Sequence, residues 1–210
     1  PGILGAGVYQ INVLVGVRLA SELPEGSISF LYFADRVNQL PLGVVGAAVG
    51  VALLPLLSRQ LRAGDVASAR DSQNRAIEFA MLLTVPAAAA LVVIAGPVIT
   101  ILFQRGAFDA ADATATAAAL AAFALGLPAY VLVKALAPGF FAREDTATPV
   151  KIAAAALVLN VLAALALMPS FAHVGIALAA AISSWFNAGM LALLLYRRGL
   201  LDPDPRLLQR

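Results

Sequence analysis

The chain has 210 residues, of which 61% are hydrophobic and 12% charged, with a mean hydropathy of +0.90 and a formal net charge of +2. Soluble domains run nearer 45–50% apolar and about 25% charged, so the excess of Ala, Leu and Val excludes an ordinary water-soluble domain and a disordered one. The small net charge gives no footing for nucleic acid, and the absence of cysteine excludes disulfides and thiol chemistry.

A membrane span needs about 20 mainly apolar residues, and six stretches qualify. They are too long and continuous for the roughly 10-residue alternating strands of a barrel, so they read as helices. The first, 3–21, follows no basic n-region or cleavage site and is not a signal peptide. With no initiator Met before Pro1 and a polar tail at 201–210, the chain reads as a piece cut from a longer protein. Gln10 and Asn12 in this span suit interhelical hydrogen bonds or a cavity wall equally. Arg18, one turn from Ser21 and Glu22, snorkels to the surface.

The second span, 28–57, carries Asp35, Arg36, Asn38 and Gln39. Charges at membrane depth are costly and face a protein interior or a wet cavity. Asp35 shares a helical face with Asn38 and Gln39, at i+3 and i+4, while Arg36 shares one with Tyr32. Pro41 removes a backbone donor and frees the Val37 carbonyl, and a polar sector beside such an irregularity is how transporters build midmembrane sites. The alternative is an Arg36 that snorkels to the outer headgroups and an Asp35 that caps a frayed turn. Gly43, Gly46, Ala47 and Gly50 read as close helix packing.

Residues 59–75 read as a short interfacial helix broken near Gly64, either a solvated connection or a headgroup-binding surface. The third span is 76–95. Gly96-Pro97 ends it, and 96–108 lies along the membrane surface. The fourth span, 113–136, ends near Lys134, with Pro138-Gly139 breaking the helix. Lys134, Arg143 and Lys151 are possible phosphate contacts, or equally ordinary topogenic charges. The fifth and sixth spans, 150–168 and 174–196, hold the single amides Asn160 and Asn187, read as interhelical glue. A short outer turn carries His173.

With the first end inside, the inner connections hold Arg59, Arg62, Arg70, Arg75, Lys134, Arg143, Lys151, Arg197, Arg198, Arg206 and Arg210. That is eleven of the fourteen basic residues, whereas the outer connections hold Arg105 beside Glu22, Glu25, Asp109 and Asp112. Positive residues favour the cytoplasmic side, so both ends of the chain are expected there. The sequence shows no metal-ligand spacing, nucleophile elbow or phosphate-cradling loop. Asp35 is the only acid expected to be buried in a span, so an acid–base pair lacks a partner. An enzyme, a metal and a cofactor are not expected.

Four strings, GVYQINVLVGVRLAS (7–21), FLYFADRVNQLPLGVVGAAVGVALLPLLS (30–58), GPVITILFQRGAFDAADA (96–113) and VKALAPGFFAREDTATPVKIA (133–153), closely resemble the MurJ (MviN) lipid II flippases. These belong to the multidrug and polysaccharide exporter superfamily, and the similarity runs from about residue 5 to residue 200. The resemblance implies an all-α integral membrane fold in which residues 1–200 form a second six-helix transporter lobe. The partners implied are lipid II, membrane lipids and the first lobe of the same protein. The implied activity is inward-to-outward transfer of an undecaprenyl-pyrophosphate-linked peptidoglycan precursor in the bacterial cytoplasmic membrane. By position, Asp35 and Arg36 match the family's charged pair, with the arginine facing the cavity, and Gln39 stands where some members carry glutamate. Two rivals are a sister exporter of polysaccharide-linked lipids or drugs and a scaffold for wall synthesis that moves no lipid.

Overall fold

The computed structural model describes residues 14–201. Residues 14–20 are helical and a turn follows. Four long helices then run as α1 (Ser27–Arg62), α2 (Val66–Phe103), α3 (Ala110–Phe141) and α4 (Ala147–Arg197). Each is long and apolar enough to cross a membrane. Six separate spans were expected, and the described residues hold four such helices. The fifth and sixth are the two arms of α4, which meets a single non-helical residue at Ala172 (φ 47°, ψ −129°). Most of the expected first span, with Gln10 and Asn12, lies outside the described residues, as do Arg206 and Arg210.

Local chemistry sets the helix starts. Asp109 and Asp112 form a reciprocal capping box at the head of α3, and Asp65 accepts the Ser68 N–H at the head of α2. Gly64, at φ 75°, makes the turn between α1 and α2 where a β-carbon would be strained. There is no separate interfacial helix at 59–75. The break falls at Gly64 as expected, but its two sides are the last turn of α1 and the first turns of α2.

The helix breaks expected at Pro97 and Pro138 are also corrected. Helix continues through Pro41 and Pro55 in α1, Pro86 and Pro97 in α2, Pro128 and Pro138 in α3, and Pro169 in α4. The third span therefore does not end at Gly96, the fourth does not end near Lys134, and the expected turn at 168–175 is only the kink at Ala172. In lipid an interrupted ladder persists when neighbouring helices supply donors to the carbonyls it exposes. Two side chains of neighbouring helices donate to α3 one residue past Ala124 and Lys134, the carbonyls that Pro128 and Pro138 leave without an i+4 donor. Trp185 Nε1 donates to the Leu125 carbonyl at 2.9 Å, beside Pro128, and Gln73 Nε2 donates to the Ala135 carbonyl, beside Pro138.

The central helix is α3. It contributes Ala113, Ala117 and Leu120 to a cluster with Ala34, Val37 and Ile99. It adds Val131 and Ala135 to one with Val45, Val49 and Leu53, and Leu136 and Phe140 to one with Ile152, Leu191 and Leu195. Apolar lipid gives helices little hydrophobic reason to associate, so close backbone approach over small residues carries the packing. The buried alanines of α3 supply that approach. At Gly126 a β-carbon would lie 2.9 Å from the Ala181 Cα.

Candidate functional site: a cavity among the helices

A cavity of about 670 Å³ opens between α1, α3 and both arms of α4. From α1 it is lined by Asp35, Asn38 and Gln39, from α3 by Tyr130 and Lys134, and from α4 by Asn160, Ser183, Ser184 and Asn187. Helical periodicity creates each strip: Asp35 to Gln39, Tyr130 to Lys134 and Ser183 to Asn187 are all i,i+4 pairs. Three polar strips on otherwise apolar helices thus converge on one space.

Within that space Gln39 Nε2 donates to Asp35 Oδ2, and Tyr130 shares a hydrogen bond with Ser184. The carboxamide oxygens of Asn38 and Asn187 are buried and find no partner within the described residues. Lys134 makes no hydrogen bond or ion pair with any described residue. Its stem lies against Gly46 of α1, where a β-carbon would come within 2.8 Å of Cδ. Asp35 lies eight residues into α1, about 12 Å along it, and Gly46 a further 16 Å or so. The carboxylate and the ammonium therefore mark different depths of the cavity.

The expected site residues divide. Asp35, Asn38, Gln39 and Lys134 line the cavity. Arg36 does not: its Cζ lies 4.9 Å from the centroid of Tyr32, which is exposed on the same helix stripe. Asp35 and Arg36 form no ion pair with each other, which fits their separation of about 100° around the helix. Arg143 lies beyond the end of α3 and donates to the Gly139 carbonyl at 2.7 Å. Burial, and secondarily the nearby Arg70, pull its pKa down. Lys151 is exposed in the first turns of α4. The three possible phosphate contacts therefore do not converge.

Tyr130, Ser183 and Ser184 join the site unexpectedly, and Asn160 and Asn187 line it instead of acting only as glue. The i,i+4 spacing of Ser183 and Asn187 is a usable sequence signal. That of Tyr130 and Lys134 is hidden when the helix is ended at Pro138. Close packing was expected at Gly43 and Gly50, yet a β-carbon at either would meet nothing within 4 Å. His173, beside the α4 kink, ties it to the early turns of α1 and α3: its Nε2 lies 2.9 Å from the Ala115 carbonyl and its ring 5.4 Å from that of Phe30. Among the described residues no group of acids and histidines could hold a metal ion.

A family model described as "Lipid II flippase MurJ" matches residues 1–208. A Rhizobium tropici protein named "Probable lipid II flippase MurJ" is 50% identical over 199 residues, which are 95% of this chain and 37% of that protein. The Burkholderia cenocepacia "Lipid II flippase MurJ" is 35% identical over 205 residues, or 98% of this chain and 40% of that protein. The chain thus spans about two fifths of the length of these curated relatives. Among solved structures, "Lipid II flippase MurJ, inward closed conformation" superposes with a TM-score of 0.83 at 26% identity, covering 93% of this chain and 41% of that one. An outward-facing multidrug resistance transporter of the MATE family superposes at 0.74 with 19% identity, over 97% of this chain and 45% of that one, and so shares the fold.

Proposed function

We propose, from the premise that the chain belongs to the MurJ family of lipid II flippases, that it forms one wall of a transport cavity. Through that cavity the polar headgroup of a pyrophosphate-linked peptidoglycan precursor crosses from the inner to the outer leaflet. Residues 1–200 act as one six-span lobe, facing a second lobe supplied by the rest of a longer protein. Alternating access between the lobes opens the cavity to each side in turn, while the polyprenyl tail stays in lipid. Transport of this kind needs no catalytic group in the chain. The basic connections lie in the cytoplasm, as the positive-inside bias requires.

One observation carries this reading: an ammonium without a partner among the described residues, on Lys134, lining a cavity whose largely apolar wall also carries amides, hydroxyls and the Asp35 carboxylate. A charge at membrane depth is tolerated where water or a counter-charge reaches it, and a phosphate oxygen is the counter-charge the family's substrate offers. Lys134 is then the cation this lobe contributes to the cavity interior. Arg36, on the exposed stripe of α1, contributes from the side that faces the second lobe. Its planar guanidinium, stacked on Tyr32, presents a fork suited to phosphate. Arg143 and Lys151 act at the membrane surface, attracting anionic headgroups.

The test is rescue of a flippase-depleted bacterium by the full-length protein, with membrane levels measured. Wild type should restore growth, while Lys134→Gln and Arg36→Ala should each fail at equal abundance. Rescue by both variants would discard these two residues and keep the family's activity. Failure of the inserted wild type would favour a sister exporter or a scaffold.

A further inference from the structure

Gly46 and Lys134 meet where α1 crosses α3. A β-carbon built on Gly46 would lie 2.8 Å from Lys134 Cδ, 3.1 Å from Nζ and 3.4 Å from Cε. The whole outer length of the lysine therefore rests on bare α1 backbone. Glycines about one turn to either side, at 43 and 50, have open space where a β-carbon would go. General helix-to-helix approach does not account for the glycine at 46, because the atoms opposite it belong to Lys134, the cation that lines the cavity.

We propose that Gly46 is a positioning residue for Lys134: its missing side chain is the seat that holds the ammonium in the cavity, where it meets an anionic phosphate oxygen of the transported headgroup. The proposal rests on the reading of Lys134 given above. A lysine stem has four carbons and many rotamers, so an ammonium with no partner among the described residues needs a surface to define where it stands. Below the polar group at Gln39, the α1 face offers Leu42, Gly43 and Gly46 in succession, and of the two glycines Gly46 alone is in contact with the stem. A methyl group there would displace the far end of a flexible side chain and no backbone. That sets position 46 apart from Gly126 and Gly175, where the obstructing atoms include main chain. Gly46→Ala should accordingly fold and insert normally, with its effect confined to where the Lys134 ammonium stands.

The full-length protein carrying Gly46→Ala, Lys134→Ala or both would be compared in a lipid II transport assay on membranes with matched protein levels. Gly46→Ala is expected to slow transport about tenfold, the scale of one charge-assisted hydrogen bond. The double variant should be no slower than Lys134→Ala, because a truncated lysine no longer meets the new methyl group. Losses that multiply in the double variant, or a Gly46→Ala protein as fast as wild type, would overturn the proposal. A second readout needs no transport. The chain's two lysines, Lys134 and Lys151, are acylated in membranes with a water-soluble succinimidyl ester and quantified by mass spectrometry. Gly46→Ala should change the labelling of Lys134 relative to Lys151, and an unchanged ratio would overturn the seat. Should Lys134→Ala transport like wild type, Lys134 loses its role toward phosphate, and the labelling ratio still decides whether Gly46 positions it.

Discussion

The guanidinium of Arg198, just past the end of α4, stands 2.7 Å from the carboxylate of Asp145, just before the start of the same helix. Because α4 folds back at Ala172, this pair closes the loop made by its two arms. Arg198 also donates to Thr148 Oγ1 and lies 5.5 Å over the Phe140 ring, while Asp145 caps the helix by accepting the Thr148 N–H. The bond from Arg198, then those from Thr148, hold the Asp145 carboxyl down to about 2.

A pH dependence follows from that depression. A carboxyl with a lower pKa folded than unfolded adds stability above its unfolded value, near about 3.9, and loses it as pH falls toward about 2. Both side chains are partly exposed, at 45% and 25%, so screening leaves the pair worth about 1 kcal/mol. Asp145→Asn should lower the thermal midpoint at neutral pH and in mild acid, with the gap to wild type closing as pH falls to about 2. A gap that persists there would mean that something other than the carboxylate charge is what Asp145 contributes.

Much of this architecture is legible in the sequence because membrane helices announce themselves by length. The second to sixth apolar runs each fall largely within a helix or helix arm, and the Asp35, Asn38 and Gln39 face follows from i+3 and i+4 spacing alone. Helix ends are less legible, since proline and glycine are weak guides to them in lipid. Pro97 and Pro138 sit inside helices because Ile99 on one side and Gln73 on the other bind the continuing turns to their neighbours. Nor can one helix's periodicity say which face meets which partner. Arg36 is the most conspicuous charge in the second span, yet its side chain leaves the cavity, whereas Lys134, which the sequence pattern puts at a helix end, enters it.

Gln73 offers a test of how the Pro138 region is held. Its side chain is buried at 3% exposure; Nε2 donates to the Ala135 carbonyl, and Oε1 has no partner among the described residues and presses toward Gly139. Gln73→Met removes the bond and the orphan oxygen together at similar volume, a change of less than about 1 kcal/mol. Gln73→Ala also leaves a void, at about 2–3 kcal/mol. Denaturation of the purified protein in detergent should rank wild type and Met close together and Ala well below. Equal losses for Met and Ala would show the hydrogen bond, and not the packing, to dominate.

Two substitutions at the α4 kink should act with opposite sign. Ala172 holds a backbone region that only glycine occupies without strain, so Ala172→Gly should stabilise by about 1 kcal/mol. Three residues on, a β-carbon at Gly175 would meet the Leu167 carbonyl carbon at 2.7 Å, its oxygen at 2.8 Å and the Met168 nitrogen at 3.0 Å. All three are main chain, so the arms must separate, and Gly175→Ala should cost about 1–3 kcal/mol. Thermal midpoints of both variants in one detergent would check the pair. A stabilised Gly175→Ala protein would mean that the arms are not held this closely.

The Asp35–Gln39 pair separates stability from transport. Gln39 is the carboxylate's one side-chain hydrogen-bond partner among the described residues, so Gln39→Leu strands a half-buried charge at a cost of about 1–3 kcal/mol. Replacing both residues by leucine removes the stranded group as well, and the double variant should recover much of that loss. Transport should not recover with it, because the cavity would lose the only carboxylate among the described residues that line it. The measurement is a thermal midpoint and a lipid II transport rate for each single variant and the double. Recovery of both quantities would make Asp35 and Gln39 a self-contained pair of no use to the substrate. Recovery of stability alone would place the carboxylate in the transport step.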